Sequence, residues 1–251
     1  MAKKTAAATK PKAPKGAPKA QAKKLEPSNV PFSKRLVLFQ YLLATLGVDD
    51  FETLRAWLKD PEREGVDEEG VSRFCRTLIA QLRPADEPGR YRIQRALEGA
   101  VADRFDADAT AVGADDLLRY DGYILGHTRA ISRARPSPVQ WKYYQYLALL
   151  FVEIYLERWF KDAEGLCAEL NEWVKEHDRA RRDNLPPYEL DDLRTLALWC
   201  ATGSGKTLLM HVNLLQFRHA LGRFKKHATI NRTLLVTPGE SLSRQHLDEL
   251  A

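Results

Sequence analysis

The chain has 251 residues, 44% of them hydrophobic and 29% charged, which is long and apolar enough for one large or two modest domains with buried cores. Its longest purely apolar stretch, Tyr146 to Val152, ends at Glu153; this falls far short of the roughly 20 residues a membrane span needs, and the N-terminus lacks the apolar core of a secretory signal, so neither insertion nor export is expected. The net charge of +5 is concentrated: residues 1–31 hold eight lysines against Glu26, leaving +7 there and −2 on the remainder, so the body has no chain-wide basic signature of nucleic-acid binding.

Residues 1–31 are built from Lys, Ala and Pro, with too little apolar surface to offset the entropy of ordering, and read as a disordered tail. Such an arm either adds salt-dependent affinity for phosphate backbones or serves only solubility. Residues 32–135 read as a helical domain. Ser33 is a candidate cap for a helix carrying Leu36, Phe39, Leu42, Leu43 and Leu46 and ending at Gly47. Asp50 caps a second with Phe51, Leu54 and Leu58, stopped by Pro61. Val71, Phe74, Leu78, Ile79 and Leu82 mark a third, stopped by Pro84, and two more are expected near Tyr91 to Phe105 and Asp115 to Arg133. Nothing in this region names a chemistry.

Residues 136–187 form a helical lead-in. The helix from about Gln140 to Phe160 places Tyr144, Leu147, Phe151, Ile154 and Leu156 on more than one face, so it is expected to be buried. Another follows from about Ala163 to His177. From residue 188 the pattern changes. Thr195 to Cys200 is a short apolar run of the kind that makes a buried strand, and Ala201-Thr-Gly-Ser-Gly-Lys-Thr207 follows directly. Leu208, Leu209, Val212 and Leu215 then fall at helical spacing, with Gly222 where a left-handed terminator is wanted, and Thr233 to Val236 reads as a second strand. The expected unit over 188–251 is therefore βαβ.

The chemistry of the loop follows from its residue types. Glycines at 203 and 205 allow close approach and unusual torsions, so that N–H groups, with those of Thr202 and Ser204, converge on phosphate oxygens at a helix N-terminus. Lys206 supplies a cation at the β and γ phosphates, and Thr207 a hydroxyl for the coordination shell of Mg²⁺. The strict pattern G-x-x-x-x-G-K-[ST] would need its first glycine at Cys200. With that departure, Ala-Thr-Gly-Ser-Gly-Lys-Thr resembles motif I of superfamily 2 helicases.

The segment Thr237-Pro-Gly-Glu-Ser-Leu-Ser-Arg-Gln245 is similar to helicase motif Ia, which implies contact of Thr237, Pro238, Ser241, Arg244 and Gln245 with a nucleic-acid backbone. Together with Leu198 to His211, it resembles the DEAD/DEAH-box-like helicase subunit of type III restriction enzymes and related phage-defence helicases, over roughly residues 140–251. The resemblance implies an α/β fold, in which a helical N-terminal region precedes the start of a RecA-like P-loop domain with an incomplete parallel sheet. It implies ATP and Mg²⁺ as cofactors, DNA as partner, and movement on DNA driven by ATP hydrolysis. It leaves open a methyltransferase or nuclease companion. Gln145, in Trp141-Lys-Tyr-Tyr-Gln145, is the candidate for the family's adenine-reading glutamine, stacked by a neighbouring aromatic, provided that a helical hairpin fills the interval to Lys206.

Hydrolysis further requires an acidic pair at the end of a strand. Asp248-Glu249 spells such a pair but sits in the expected motif Ia helix, and Asp67-Glu68-Glu69 precedes the loop without a strand. The sequence is accordingly read as the front end of a motor that is inactive alone. Another P-loop ATPase and a non-enzymatic DNA-binding fragment are the alternatives. Cys75, Cys167 and Cys200, odd in number and widely separated, fit reduced thiols in the cytoplasm. The six histidines have no zinc spacing and are expected at the surface or in packing roles.

Overall fold

The computed structural model describes residues 36–48, 50–82, 111–133, 135–181, 185–226, 234 and 239–250. Eight α-helices follow in chain order among them: α1 Val37–Thr45, α2 Phe51–Leu58, α3 Arg73–Gln81, α4 Ala114–Ser132, α5 Tyr143–Lys161, α6 Ala163–Arg181, α7 Lys206–Arg223 and α8 Glu240–Leu250. Short 3₁₀ turns at Pro61–Arg63 and Asp192–Arg194 complete them. No described helix is long and apolar enough to cross a membrane.

Several boundaries follow the chemistry expected of them. The Asp50 carboxylate accepts the Thr53 N–H at 2.8 Å and so starts α2, and Ser72 accepts from Phe74 N at 3.2 Å to start α3. Gly47 takes a positive φ of 66° after α1. Ser33, Pro84 and the helix expected near Tyr91 to Phe105 lie outside the described residues, as does the tail.

Helix α5 is buried almost all round, as its sequence requires. Between Gln145 and Leu156 every side chain but Ala148 is buried, and α1, α2, α4, α6 and α7 all pack on it. Tyr144, at the exposed edge, is 37% accessible and is not part of that core. Polar groups that enter the core arrive paired. The Asp121 carboxylate of α4 accepts from Ser72 N at 2.9 Å and from the Tyr146 hydroxyl at 2.7 Å, joining α3, α4 and α5, and burial holds its carboxyl above the ordinary range. Tyr41 on α1 donates to Glu169 on α6 and accepts from Arg158 of α5 at 2.7 Å. Glu157 receives Arg119 of α4 and Arg223 of α7, each at 2.7 Å.

The expected α/β architecture with a parallel sheet is not what forms. The described residues are 67% helical and contain no strand or sheet; their only β-type pairing is an isolated antiparallel bridge between Val66 and Ser72. The reason is physical. Leu196, Leu198 and Cys200 are half-buried and packed against the core, whereas Ala197 and Trp199 are exposed, Trp199 to 85%. The segment therefore has the alternation of a strand. That period, however, reports only which side chains of an extended chain face the core, while a strand also needs a second backbone to ladder with. Among the described residues the segment has no strand partner, and it lies on the helices through Leu196, Leu198 and Cys200. Of the second expected strand, Thr233 to Val236, only Leu234 is described, and it is 84% exposed. Gly222 is also not the terminator of its helix: α7 runs through it to Arg223, and the left-handed residue beyond is Lys225, with φ 55°.

The packing of α5 sets an expectation for stability. Leu150, with no accessible surface, truncated to alanine should cost about 2–5 kcal/mol in urea unfolding, whereas Tyr144→Ala should stay near or below about 1 kcal/mol.

Candidate phosphate-binding loop

The loop joins the extended ribbon to α7. Gly203 and Gly205 adopt positive φ, 77° and 82°, so the torsions that called for glycine in the sequence are present. Gly205 is also the N-cap of α7, and with no side chain it offers no cap. The first intrahelical bond runs from Leu209 N to Gly205 O at 3.1 Å, so the N–H groups of Lys206, Thr207 and Leu208 are the unpaired donors that every helix start presents. Their alignment with the helix dipole makes this end attractive to an anion.

The side chains divide between support and exposure. Thr202, Lys206 and Thr207 are exposed, whereas Ser204 is buried, its hydroxyl buried without a partner. The Lys206 ammonium folds back over the loop, donating to Ala201 O at 2.7 Å and Cys200 O at 3.3 Å. The exposed side chains of residues 202–207 thus include one cation, Lys206, and two hydroxyls, Thr202 and Thr207.

Gln145 reaches the same place from α5. Its Nε2 donates to the Ser204 carbonyl at 2.9 Å, while its Oε1 accepts the Lys142 N–H at 2.9 Å. The interval between Gln145 and Lys206 is filled by α5 and α6, joined at Asp162, which is the helical insertion that the spacing demanded. Of the aromatics beside Gln145, Trp141 is a core residue, 5% accessible, whose indole donates to Thr128 Oγ1 at 2.7 Å. Tyr143 and Tyr144 meet edge to face at the more open side.

Beneath the loop, α7 is seated on α5 and α4. Gln216, fully buried, donates to Leu149 O and to Glu153 Oε1, both at 2.9 Å. Burial pushes the Glu153 carboxyl up to about 7, partly offset by the Gln216 hydrogen bond. Burial likewise drives His127 down to about 4, and its neighbour His219 adds to this.

The motif Ia-like residues are placed less completely. Thr237 and Pro238 lie outside the described residues, and the side chain of Gln245 does too. Ser241 and Arg244 are exposed in the first turns of α8, with Arg244 bound to Glu240 one turn earlier at 2.8 Å. An exposed pair of this kind is weak enough to be exchanged for a phosphate. Asp248 lies on the same helix, not at a strand end. Asp67 accepts from Glu69 N and Val71 N and pairs with Arg76, so it shapes a turn.

A contact absent from the sequence reasoning ties these two parts together. His211 of α7 and His246 of α8, both buried, share an Nε2···Nδ1 contact of 2.9 Å. The signal was available for His211, which sits three residues after Leu208 and four before Leu215 and so shares the buried face of α7.

The site fits the groups its sequence implies. Two left-handed glycines, an uncapped helix start and an exposed cation suit a polyphosphate. No group of three or more His, Cys, Asp or Glu that could hold a metal ion occurs among the described residues. Mg²⁺ carried by a polyphosphate would find the exposed Thr207 hydroxyl as the chain's ligand. No protein-family model, curated protein or solved structure matches the chain.

The buried carboxyl under α7 has a measurable consequence. Because the folded value of Glu153 is raised, its contribution is fully present below about 4.5 and is lost as pH rises through 7. His127 works oppositely: its contribution is present above about 6.5 and is lost as pH falls toward 4. Glu153→Gln removes only the first. Urea midpoints should therefore favour the variant over the wild type more at pH 8 than at pH 5.

Proposed function

We propose that this chain binds ATP with Mg²⁺ through residues 202–207, as the nucleotide-binding part of a cytoplasmic ATP-dependent DNA helicase or translocase of restriction or phage-defence type. The observation that carries the reading is the loop geometry: positive φ at Gly203 and Gly205, an uncapped α7, and Lys206 lying across the mouth of the loop.

The loop's own residues would do the binding. Unpaired N–H groups at the head of α7 receive phosphate oxygens, and a triphosphate draws the Lys206 ammonium off the carbonyls of Cys200 and Ala201. The trade replaces two neutral acceptors by anionic ones and so favours the ligand. Thr207, one residue into α7, is exposed and has a hydroxyl to offer the ligand's Mg²⁺. The ion, when bound, neutralises charge shared between the β and γ phosphates. What these residues are proposed to do is bind the nucleotide, and no step of turnover is assigned to them.

The helicase part of the reading is supported by the position of α8. Ser241 and Arg244 are exposed on it, and the His211–His246 contact connects it to the phosphate-loop helix. Phosphate contacts of this kind position a duplex without reading its bases.

Two measurements test the proposal. Titration calorimetry should detect binding of Mg-ATP that Lys206→Ala weakens by about tenfold or more, the scale of a charge-assisted hydrogen bond; an unchanged affinity would remove Lys206 from the site. DNA binding should weaken uniformly across sequences in Arg244→Ala, with the salt slope reduced by about 1. DNA binding that vanished on removal of residues 1–31, with ATP irrelevant, would instead assign it to the lysine tail.

A further inference from the structure

Each end of the Gln145 amide holds one bond to the protein. Its carbonyl oxygen closes the first turn of α5 on the Lys142 N–H, and its nitrogen donates to the Ser204 carbonyl from within the protein. Both bonds have ordinary lengths, and the residue is only 9% accessible. The bond to Ser204 fixes the direction of the peptide plane between Ser204 and Gly205. A carbonyl held toward α5 turns the N–H of the same peptide unit the opposite way, because the two point in opposed directions across a planar trans bond. Gly205 N–H is thereby turned away from the core, beside the donors at the head of α7.

The neighbouring glycine shows how closely the amide is seated. A Cβ built on Gly205 would lie 2.6 Å from Gln145 Nε2, nearer than any real contact. Gly205 is required for its φ of 82°, and a side chain there would also displace the glutamine amide from its seat. Residue 145 and residue 205 are a matched pair, sixty positions apart.

We infer that Gln145 is a positioning residue for the phosphate loop, acting through the Ser204 carbonyl, and that it selects for a polyphosphate and not for the adenine base. The inference rests on the nucleotide-binding reading of the loop. Its consequence is specific: loss of the amide should weaken every polyphosphate ligand equally, whatever base it carries. A residue reading adenine would do the reverse, affecting ATP alone.

The test compares Mg-ATP, Mg-GTP and magnesium tripolyphosphate, which has no base, by calorimetry on the full chain. Gln145→Glu keeps an acceptor for Lys142 but turns a carboxylate oxygen on the Ser204 carbonyl. Gln145→Met keeps the length of the side chain and removes both bonds, and it carries the same test if the Glu variant fails to fold. The expected result is a loss of about tenfold or more for all three ligands, the scale of a buried acceptor left unpaired, with the ATP-to-GTP ratio held within about twofold and the Met variant, though less stable, still unfolding in a cooperative urea transition. A loss confined to ATP, with GTP and tripolyphosphate unchanged, would overturn the inference in favour of base reading. Three unchanged affinities would overturn it as well. Wild-type protein that bound none of the three would overturn the nucleotide-binding reading itself and this inference with it, an outcome visible before any variant is made.

Discussion

The burial of α5 organises most of the described molecule. A helix apolar around its whole circumference cannot rest on one surface, and five others close over it. The phosphate loop belongs to this arrangement through two connections. Gln145, at the N-terminal end of α5, grips the backbone of the loop at Ser204, and Gln216 of α7 is locked to Leu149 and Glu153 further along the same helix. The loop and the helix that it heads are therefore registered against one rigid element at two points.

This changes what supports the loop. In the expected architecture a parallel sheet would deliver the chain to the turn, with hydrogen-bonded neighbours fixing its direction. Here the incoming ribbon at 195–200 is held by the side chains of Leu196, Leu198 and Cys200, and the turn by a glutamine from a helix. The demands on the loop are unchanged, since two left-handed glycines and an open helix start are local properties. The His211–His246 contact then extends the framework to α8.

Much of the helical content was legible in the sequence because its signals are short-range. Asp50 caps because its carboxylate reaches an N–H three residues on, and α5 announces its burial through apolar residues on every face. The conformations of Gly203 and Gly205 were legible for the same reason. What failed was non-local. The alternation over Thr195 to Cys200 was real and its inward residues do face the core, but sheet formation depends on a second chain segment that a local period cannot reveal. Gly222 suited a helix end by residue type, yet the helix continues past it, with the salt bridge from Arg223 to Glu157 engaging its last turn. Gln145 was picked out by its neighbours, and its contact with Ser204 became visible only once the intervening helices had folded back.

We propose that the loop is a polyphosphate site whose geometry is imposed by α5. Amide hydrogen exchange followed by mass spectrometry, with and without Mg-ATP, addresses both halves at once. Peptides covering residues 201–209 should slow on addition of the ligand, and so should the start of α5 around 143–147. Exchange unchanged in the loop, or slowed only in distant helices, would contradict the account.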